Sequence, residues 1–168
     1  ADLIGAHAQG IRNILALTGD PPSLGDFSQA TGVFDVDSIG LVRLLNEMKE
    51  GRDLLGTEMG YRGSFCVGVA VDPTKPHLAD EAERLHEKIQ AGAEFVMTQP
   101  IYDLALWHRF LQIYGGRIEV PVLLGLLPLL SQRHARFLHN EIPGITLSEE
   151  ALSRMEVAGA DGRAEGVA

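Results

Sequence analysis

The sequence predicts an α/β fold in which parallel strands alternate with helices. Four apolar runs have the length of buried strands, at 14–20, 65–71, 95–101 and 121–127. Strands covered on both faces read as continuous hydrophobic runs, which is typical of parallel sheets. Helical patterns fill the intervals between these runs, and no hairpin signal joins any pair of them. Helical crossovers between strands indicate a parallel sheet covered by helices.

The chain begins with a helical pattern over 1–12, in which apolar residues recur on one face. The first strand, 14–20, stops at Gly19 and Asp20, and two prolines then end the strand and stiffen its exit. After the polar loop 21–33, a helix is predicted over about 38–50. Its predicted buried stripe consists of Ile39, Val42, Leu45 and Met48.

The N-terminus of helix 38–50 offers two capping residues. Ser38 is the favoured N-cap, and Asp37 is the alternative. Residues 51–63 are polar and glycine-rich, which predicts a loop.

Further helices are predicted at 77–91, 103–114 and 131–140, with a short one near 148–157. Helix 77–91 has an apolar stripe and a densely charged face, and such a face is usually solvated. The aromatic residues of helix 103–114 lie at helical spacing and are interpreted as core; they are Trp107, Phe110 and Tyr114. Residues 158–168 are predicted to fray, which leaves 1–157 as one domain.

Four strand–helix units can build either a small doubly wound sheet or half of an eight-stranded barrel. The opening helix has no capping residue, and no loop carries a glycine-rich dinucleotide motif. A complete barrel needs about 250 residues, whereas this sequence has 168. We therefore predict a partial (β/α)8 TIM barrel of about four strand–helix units.

Composition excludes several classes of function. The net charge of −9 argues against nucleic-acid or anionic-membrane binding, and no apolar run approaches the length of a membrane span. The single Cys66 lies within an apolar run, so neither a disulfide framework nor a thiolate metal site is expected. The histidines lack metal-ligand spacing, and a cytoplasmic protein is the default expectation.

Polar residues follow the apolar runs at the strand ends where parallel sheets bind ligands. Asp20 ends the first strand, and Gln99 lies near the end of the third. Asp20 is either a functional carboxylate or a loop residue that caps backbone N–H groups. Gln99 is either a ligand contact or an amide that satisfies nearby loop carbonyls.

Five stretches, taken in chain order, resemble the methylenetetrahydrofolate reductase family. They are GIRNILALTGDPP at 10–22, FDVDSIGL at 34–41, AGAEFVMTQP at 91–100, GLLPL at 125–129 and NEIPG at 140–144. The likeness extends over nearly the whole chain. The chain is similar above all to the reductase module of bacterial bifunctional proteins that also carry a homocysteine methyltransferase.

The resemblance implies an FAD-dependent (β/α)8 barrel, of which this chain supplies strands four to seven. The family's general-acid glutamate, near the end of the first strand, then has no counterpart here. The implied reaction is reduction of 5,10-methylenetetrahydrofolate to 5-methyltetrahydrofolate by NADH or NADPH, a step of one-carbon metabolism and methionine biosynthesis. The fragment alone is expected to be inactive, and the full-length protein is expected to be a homo-oligomer.

The resemblance also assigns residues. Asp20 is implied to be catalytic by tuning the flavin and holding folate, and Gln99 and Gln132 join it in substrate binding. The implied FAD-binding residues are Thr18, Gly19, Asp20, Asp37, Ser38, His77, Glu81, Arg84 and Lys88. Within this set Arg84 and Lys88 are expected to neutralise the pyrophosphate, and Glu81 to bind adenosine hydroxyls. Gln132 departs from the family, since some members have Phe there.

Two alternatives remain open at this stage. One is a flavin-free (β/α) barrel enzyme, either a lyase or a methyltransferase, with similar strand ends. The other is a non-catalytic half-barrel that serves as a packing unit. A half-barrel exposes two sheet edges, so marginal stability and self-association are expected of the isolated chain.

Overall fold

The structure is a computed structural model that describes residues 1–142 and 144–167. Pro143, part of the resembling stretch 140–144, and Ala168, the last residue of the predicted tail, lie outside the described residues.

Four strands alternate with helices along the chain, as predicted. The elements up to the third strand are α1 (Asp2–Ala8), β1 (Asn13–Ala16), α2 (Ser38–Lys49), β2 (Cys66–Val71), α3 (Leu78–Gln90) and β3 (Phe95–Pro100). The elements that follow are α4 (Leu104–Tyr114), β4 (Val122–Gly125), α5 (Gln132–Glu141), α6 (Glu149–Ala158) and α7 (Gly162–Glu165). The described residues also contain two 3₁₀ turns, Pro22–Leu24 and Gly159–Asp161.

The strands form one parallel sheet in the order β1-β2-β3-β4. The register of the first pair runs from Asn13 opposite Cys66 to Ala16 opposite Val69. Consecutive parallel strands joined by helices are the repeating unit of a (β/α) barrel. The prediction of an α/β partial barrel is therefore confirmed.

The two outer strands are shorter and more exposed than predicted. β1 ends at Ala16 instead of residue 20, and β4 ends at Gly125 instead of residue 127. Leu15 in β1 is 37% exposed and Leu123 in β4 is 53% exposed. The expectation of burial on both faces therefore fails for these two strands.

The chain divides into two compact units, which are described separately. The first unit comprises residues 1–70 and 85–96, and the second comprises 71–84 and 97–168. In the first unit the predicted stripe of α2 is confirmed, because its four apolar residues are all at most 7% exposed. Asn46 on the same helix donates from Nδ2 to the carbonyl oxygens of Ala91 and Gly92, at 3.0 and 3.2 Å.

The start of β3 in the first unit is held by a ring and a carboxylate. Gly68 in β2 leaves room for the ring of Phe95, since a Cβ at Gly68 would lie 2.1 Å from the Phe95 ring. Glu94 accepts hydrogen bonds from Lys49 at 2.6 Å and from the Val67 backbone N–H at 2.9 Å. Burial alone would raise the pKa of Glu94, but these bonds and the Lys49 charge together lower it.

His7 attaches α1 to the segment that leads into β2. Its Nε2 accepts a hydrogen bond from the Ser64 backbone N–H at 3.1 Å. The rings of Tyr61 and Phe65 meet the imidazole edge to face, with centroids 5.2 and 5.3 Å away. Desolvation and the nearby Arg12 charge lower the pKa of His7, which favours the neutral ring that this bond requires.

The second unit contains its own apolar core. The core of α5, α6 and the adjoining loops consists of Leu129, Ala135, Leu138, Ile145, Leu147 and Met155. The predicted core aromatics of α4 are buried, and the rings of Trp107 and Phe110 stack with centroids 5.8 Å apart. Residues 159–165, within the predicted frayed tail, form helical turns, and Gly166 accepts a hydrogen bond from the Leu129 N–H. Fraying of this tail remains a prediction.

Candidate functional site

The exit of β1 is an irregular turn. Residues 17–20 follow the strand without regular structure, and all four are exposed. Gly19 adopts φ +83°, and a Cβ there would meet nothing within 4 Å. A left-handed backbone in open space is readily supplied by glycine, and it lets a ligand approach the chain closely. Asp20 follows as an exposed carboxylate at the strand's carboxyl end.

Thr18 links this exit to the N-terminus of α2. Its Oγ1 accepts a hydrogen bond of 3.0 Å from the backbone N–H of Ser38. The structure therefore brings two predicted site residues, 20 positions apart, into direct contact. Ser38 is only 4% exposed, so this contact lies at the edge of the core.

The N-cap of α2 is Asp37, so the preference for Ser38 was wrong. Asp37 has extended backbone, and its Oδ1 accepts from the Gly40 N–H at 2.8 Å. Ser38 is already the first helical residue, and an N-cap must lie outside the helical conformation. Asp37 also lines a cavity of about 550 Å³ in the first unit, together with Ile39, Arg43, Glu87, Gln90 and Ala91.

Lys88 is buried instead of lying on a solvated face. It is 7% exposed, and its ammonium donates to the Ala70 carbonyl at 2.8 Å near the end of β2. A buried ammonium needs hydrogen-bond acceptors, and a backbone carbonyl at the strand end provides one. The prediction of a solvated face fails for this residue.

Glu81 forms hydrogen bonds at the end of β2 in the second unit. It is 4% exposed; its Oε1 accepts from the Asp72 N–H at 3.0 Å, and its Oε2 pairs with Lys75 at 2.8 Å. Its contacts are thus with two residues that the sequence analysis did not select. His77 and Arg84, on either side of Glu81 in sequence, are exposed. The signal for this arrangement was the Asp72-Pro73 pair that ends the strand.

Gln99 lies at an exposed position near the end of β3. A Cβ on Gly125 would lie 2.7 Å from the Thr98 carbonyl oxygen and 2.9 Å from that of Gln99. Thr98, 9% exposed, accepts from the Gly125 N–H through Oγ1 at 2.9 Å. Thr98 and Gly125 therefore fix the backbone that carries Gln99, and the sequence analysis missed both. A glycine inside the apolar run 121–127 was the available signal for close backbone approach.

Gln132 is half-buried and is the first residue of α5. The N-cap Ser131 fixes this end, since its Oγ accepts from the His134 N–H at 3.1 Å. Within residues 1–142 and 144–167, no group of three or more His, Cys, Asp and Glu side chains could hold a metal ion. In the same part of the chain, no helix is long and apolar enough to cross a membrane.

Parallel strands, helical crossovers and polar residues beyond the strand ends define a partial (β/α) barrel, the class of fold that carries its sites at those ends. The family model described as methylenetetrahydrofolate reductase matches residues 1–166. The chain therefore belongs to the methylenetetrahydrofolate reductase family.

Curated relatives agree with this membership. The chain is 28% identical over 174 residues to "Methylenetetrahydrofolate reductase 2" of Schizosaccharomyces pombe, which covers 95% of this chain and 25% of that protein. It is 32% identical over 146 residues to "Methylenetetrahydrofolate reductase (NADH) 1" of Arabidopsis thaliana, covering 82% and 24%. It is 29% identical over 144 residues to "Probable methylenetetrahydrofolate reductase (NADPH)" of Caenorhabditis elegans, covering 82% and 20%. The chain thus spans a quarter or less of the length of these three relatives.

Proposed function

We propose that the full-length protein containing this chain reduces 5,10-methylenetetrahydrofolate to 5-methyltetrahydrofolate, with FAD as cofactor and NADH or NADPH as reductant. Asp20 carries the proposal: it is an exposed carboxylate in the turn that follows a barrel strand, in a chain that belongs to the reductase family. The product is a methyl donor suited to methionine formation, which places the reaction in one-carbon metabolism.

The exit of β1 suits a flat, partly charged ring. The open space at Gly19 leaves the backbone accessible, and the Asp20 carboxylate is exposed beside it. FAD, when bound, supplies the hydride chemistry. The Asp20 charge disfavours added negative charge on a nearby ring, and its oxygens accept hydrogen bonds from ring N–H groups of folate.

Other residues are assigned to the remainder of the cofactor. Arg84 is exposed and cationic, which supports a contact with the pyrophosphate. Lys88 is assigned to the pyrophosphate for the positive charge of its ammonium, which also donates to the Ala70 carbonyl. Asp37, Ser38 and His77 are assigned to the ribityl and adenosine parts. Glu81 is assigned to adenosine hydroxyls, with both its oxygens already accepting bonds that a ligand would share.

Gln99 and Gln132 are assigned to the folate side. The primary amide of Gln99 is exposed and offers both a donor and an acceptor, which matches the mixed edge of a pterin. The close approach of Gly125 restrains the backbone beneath it, so the amide is presented from a rigid strand end. Nicotinamide is proposed to use the same face in the other half-reaction.

We also propose a cytoplasmic homo-oligomer for the full-length protein. Exposed apolar side chains support self-association, among them Phe137 at 52% and Leu104 at 65% exposure. Light scattering of the purified protein tests this assignment, and a monodisperse monomer would contradict it. Relatives named for NADH and for NADPH both occur, so the reductant is to be determined by assay with each.

The test is visible absorption of the purified full-length protein, with folate turnover measured in parallel. We expect bound FAD, and we expect Asp20→Asn to keep the FAD while lowering turnover by about 10- to 100-fold. Asp26→Asn is the matched control, because it removes an exposed carboxylate from the loop that follows and should leave turnover unchanged. A colourless, folded protein would refute the proposal and favour the flavin-free lyase or methyltransferase. A protein without any activity would favour the packing unit.

A further inference from the structure

The hydrogen bond from the Ser38 N–H to the Thr18 hydroxyl supplements the N-cap of α2. The first N–H groups of a helix have no partner within the helix. Asp37 satisfies the Gly40 N–H, and the Thr18 hydroxyl satisfies the Ser38 N–H, at 2.8 and 3.0 Å. Since Ser38 is 4% exposed, water has little access to replace the hydroxyl. Loss of this acceptor would leave a buried N–H unsatisfied, which is unfavourable.

The same bond restrains the short segment that carries Asp20. The strand has ended at Ala16, so residues 17–20 lie beyond the paired register of β1 and β2. Within the described residues, no hydrogen bond or ion pair engages the Asp20 carboxylate. Its position therefore depends on its backbone, which is restrained through Thr18 and turned by the left-handed Gly19.

We infer that Thr18 is a positioning residue: its hydroxyl anchors the exit of β1 to the buried N-terminus of α2 and so holds Asp20 in place. This differs from the cofactor contact that the resemblance assigns to Thr18. The structural part of the inference stands on the hydrogen bond alone, and its catalytic consequence rests on the proposed function. A small displacement of a group that acts on a reacting centre can lower turnover by about 100-fold.

Three substitutions separate positioning from general stability. Thr18→Val keeps the shape of the side chain and removes the acceptor, whereas Thr18→Ser keeps a hydroxyl. Ser148→Ala is the matched control, because Ser148 accepts from the Ala151 N–H at 3.2 Å and caps α6 in the second unit. Loss of an N-cap and loss of the Thr18 bond are expected to lower stability by similar amounts.

The first measurement is amide hydrogen exchange of the full-length protein, which requires no cofactor. In Thr18→Val, the peptides that cover 38–41 should exchange about 5- to 20-fold faster, since the Ser38 N–H loses its hydrogen-bond acceptor. Thr18→Ser should stay close to the wild type, and Ser148→Ala should change only the peptides of α6. Unchanged exchange at 38–41 in Thr18→Val would overturn the inference.

The second measurement uses the flavin. Removing or displacing the Asp20 charge should move the flavin reduction potential to more positive values, because the reduced ring is then less disfavoured. Thr18→Val should shift the potential in the same direction as Asp20→Asn and lower kcat by about 10-fold, with rescue in Thr18→Ser. Weaker FAD binding at an unchanged potential would identify Thr18 as a cofactor contact and overturn the inference. A wild type without flavin would refute the proposed function, and exchange alone would then decide the anchoring.

Discussion

Gly68→Ala should destabilise the sheet by overpacking. A Cβ on Gly68 would lie 2.1, 2.3 and 2.7 Å from three carbons of the Phe95 ring, well inside van der Waals contact. The strand cannot easily retreat, because Gly68 is paired opposite Leu15 in the ladder of β1 and β2. Insertion of a methyl group into a packed site typically costs about 1–3 kcal/mol. We therefore expect the local free energy of opening at β2 to fall by about that amount.

Amide hydrogen exchange measures this loss locally, even when the full-length protein does not unfold in two states. A decrease of about 1–3 kcal/mol corresponds to exchange about 5- to 150-fold faster at the β2 amides. Phe95→Ala removes the ring, so Gly68→Ala should cost much less in that background, as a double-mutant cycle would show. Gly5→Ala is the control: a Cβ there meets nothing within 4 Å, and helix α1 should be slightly stabilised. Equal effects of Gly68→Ala with and without Phe95 would refute the steric argument.

Three further outcomes follow from contacts in the first unit. Asn46→Ala removes the amide that joins α2 to the end of α3, and should lower the free energy of unfolding in urea by about 1–3 kcal/mol. Arg43 on the same helix is exposed, and Arg43→Ala should leave that free energy unchanged. The pKa of Glu94 is lowered, so its contribution to the stability of the fold is present above the ordinary value of 4.5 and is lost as pH falls through the folded value. Glu94→Gln should therefore flatten the acid limb of a stability–pH curve, and an unaltered limb would contradict this. The pKa of His7 is also lowered, so the ring stays neutral until the pH falls below the ordinary value of 6.5 and reaches the lower folded value. Protonation at that pH should break the hydrogen bond from the Ser64 N–H and speed amide exchange in α1. This acceleration should be absent in His7→Phe.

Hydrophobic patterning predicted the existence and order of the main elements because burial and helix periodicity leave a direct mark in sequence. The α2 stripe illustrates this: the spacing of Ile39, Val42, Leu45 and Met48 selected the residues that are buried. The ends of the outer strands were not predictable in the same way. Leu17 is apolar and continues the run, yet it is 52% exposed and lies beyond the last paired residue, Ala16. Strand ends depend on which backbone groups find a partner in the neighbouring strand, and sequence periodicity does not encode that pairing.

The candidate site shows why residue type alone could not assign roles to its polar residues. The resemblance assigned Glu81 and Lys88 to the cofactor, but both are buried and bound to neighbouring backbone, because a buried charge requires partners. Thr18 likewise accepts a backbone N–H, whereas Asp20 and Gln99 are exposed at the strand ends. A carboxylate that forms internal hydrogen bonds and one that awaits a ligand have the same sequence signature, and only the three-dimensional surroundings distinguish them. Substitution of Glu81 should therefore disturb folding first, and substitution of Asp20 should disturb chemistry first.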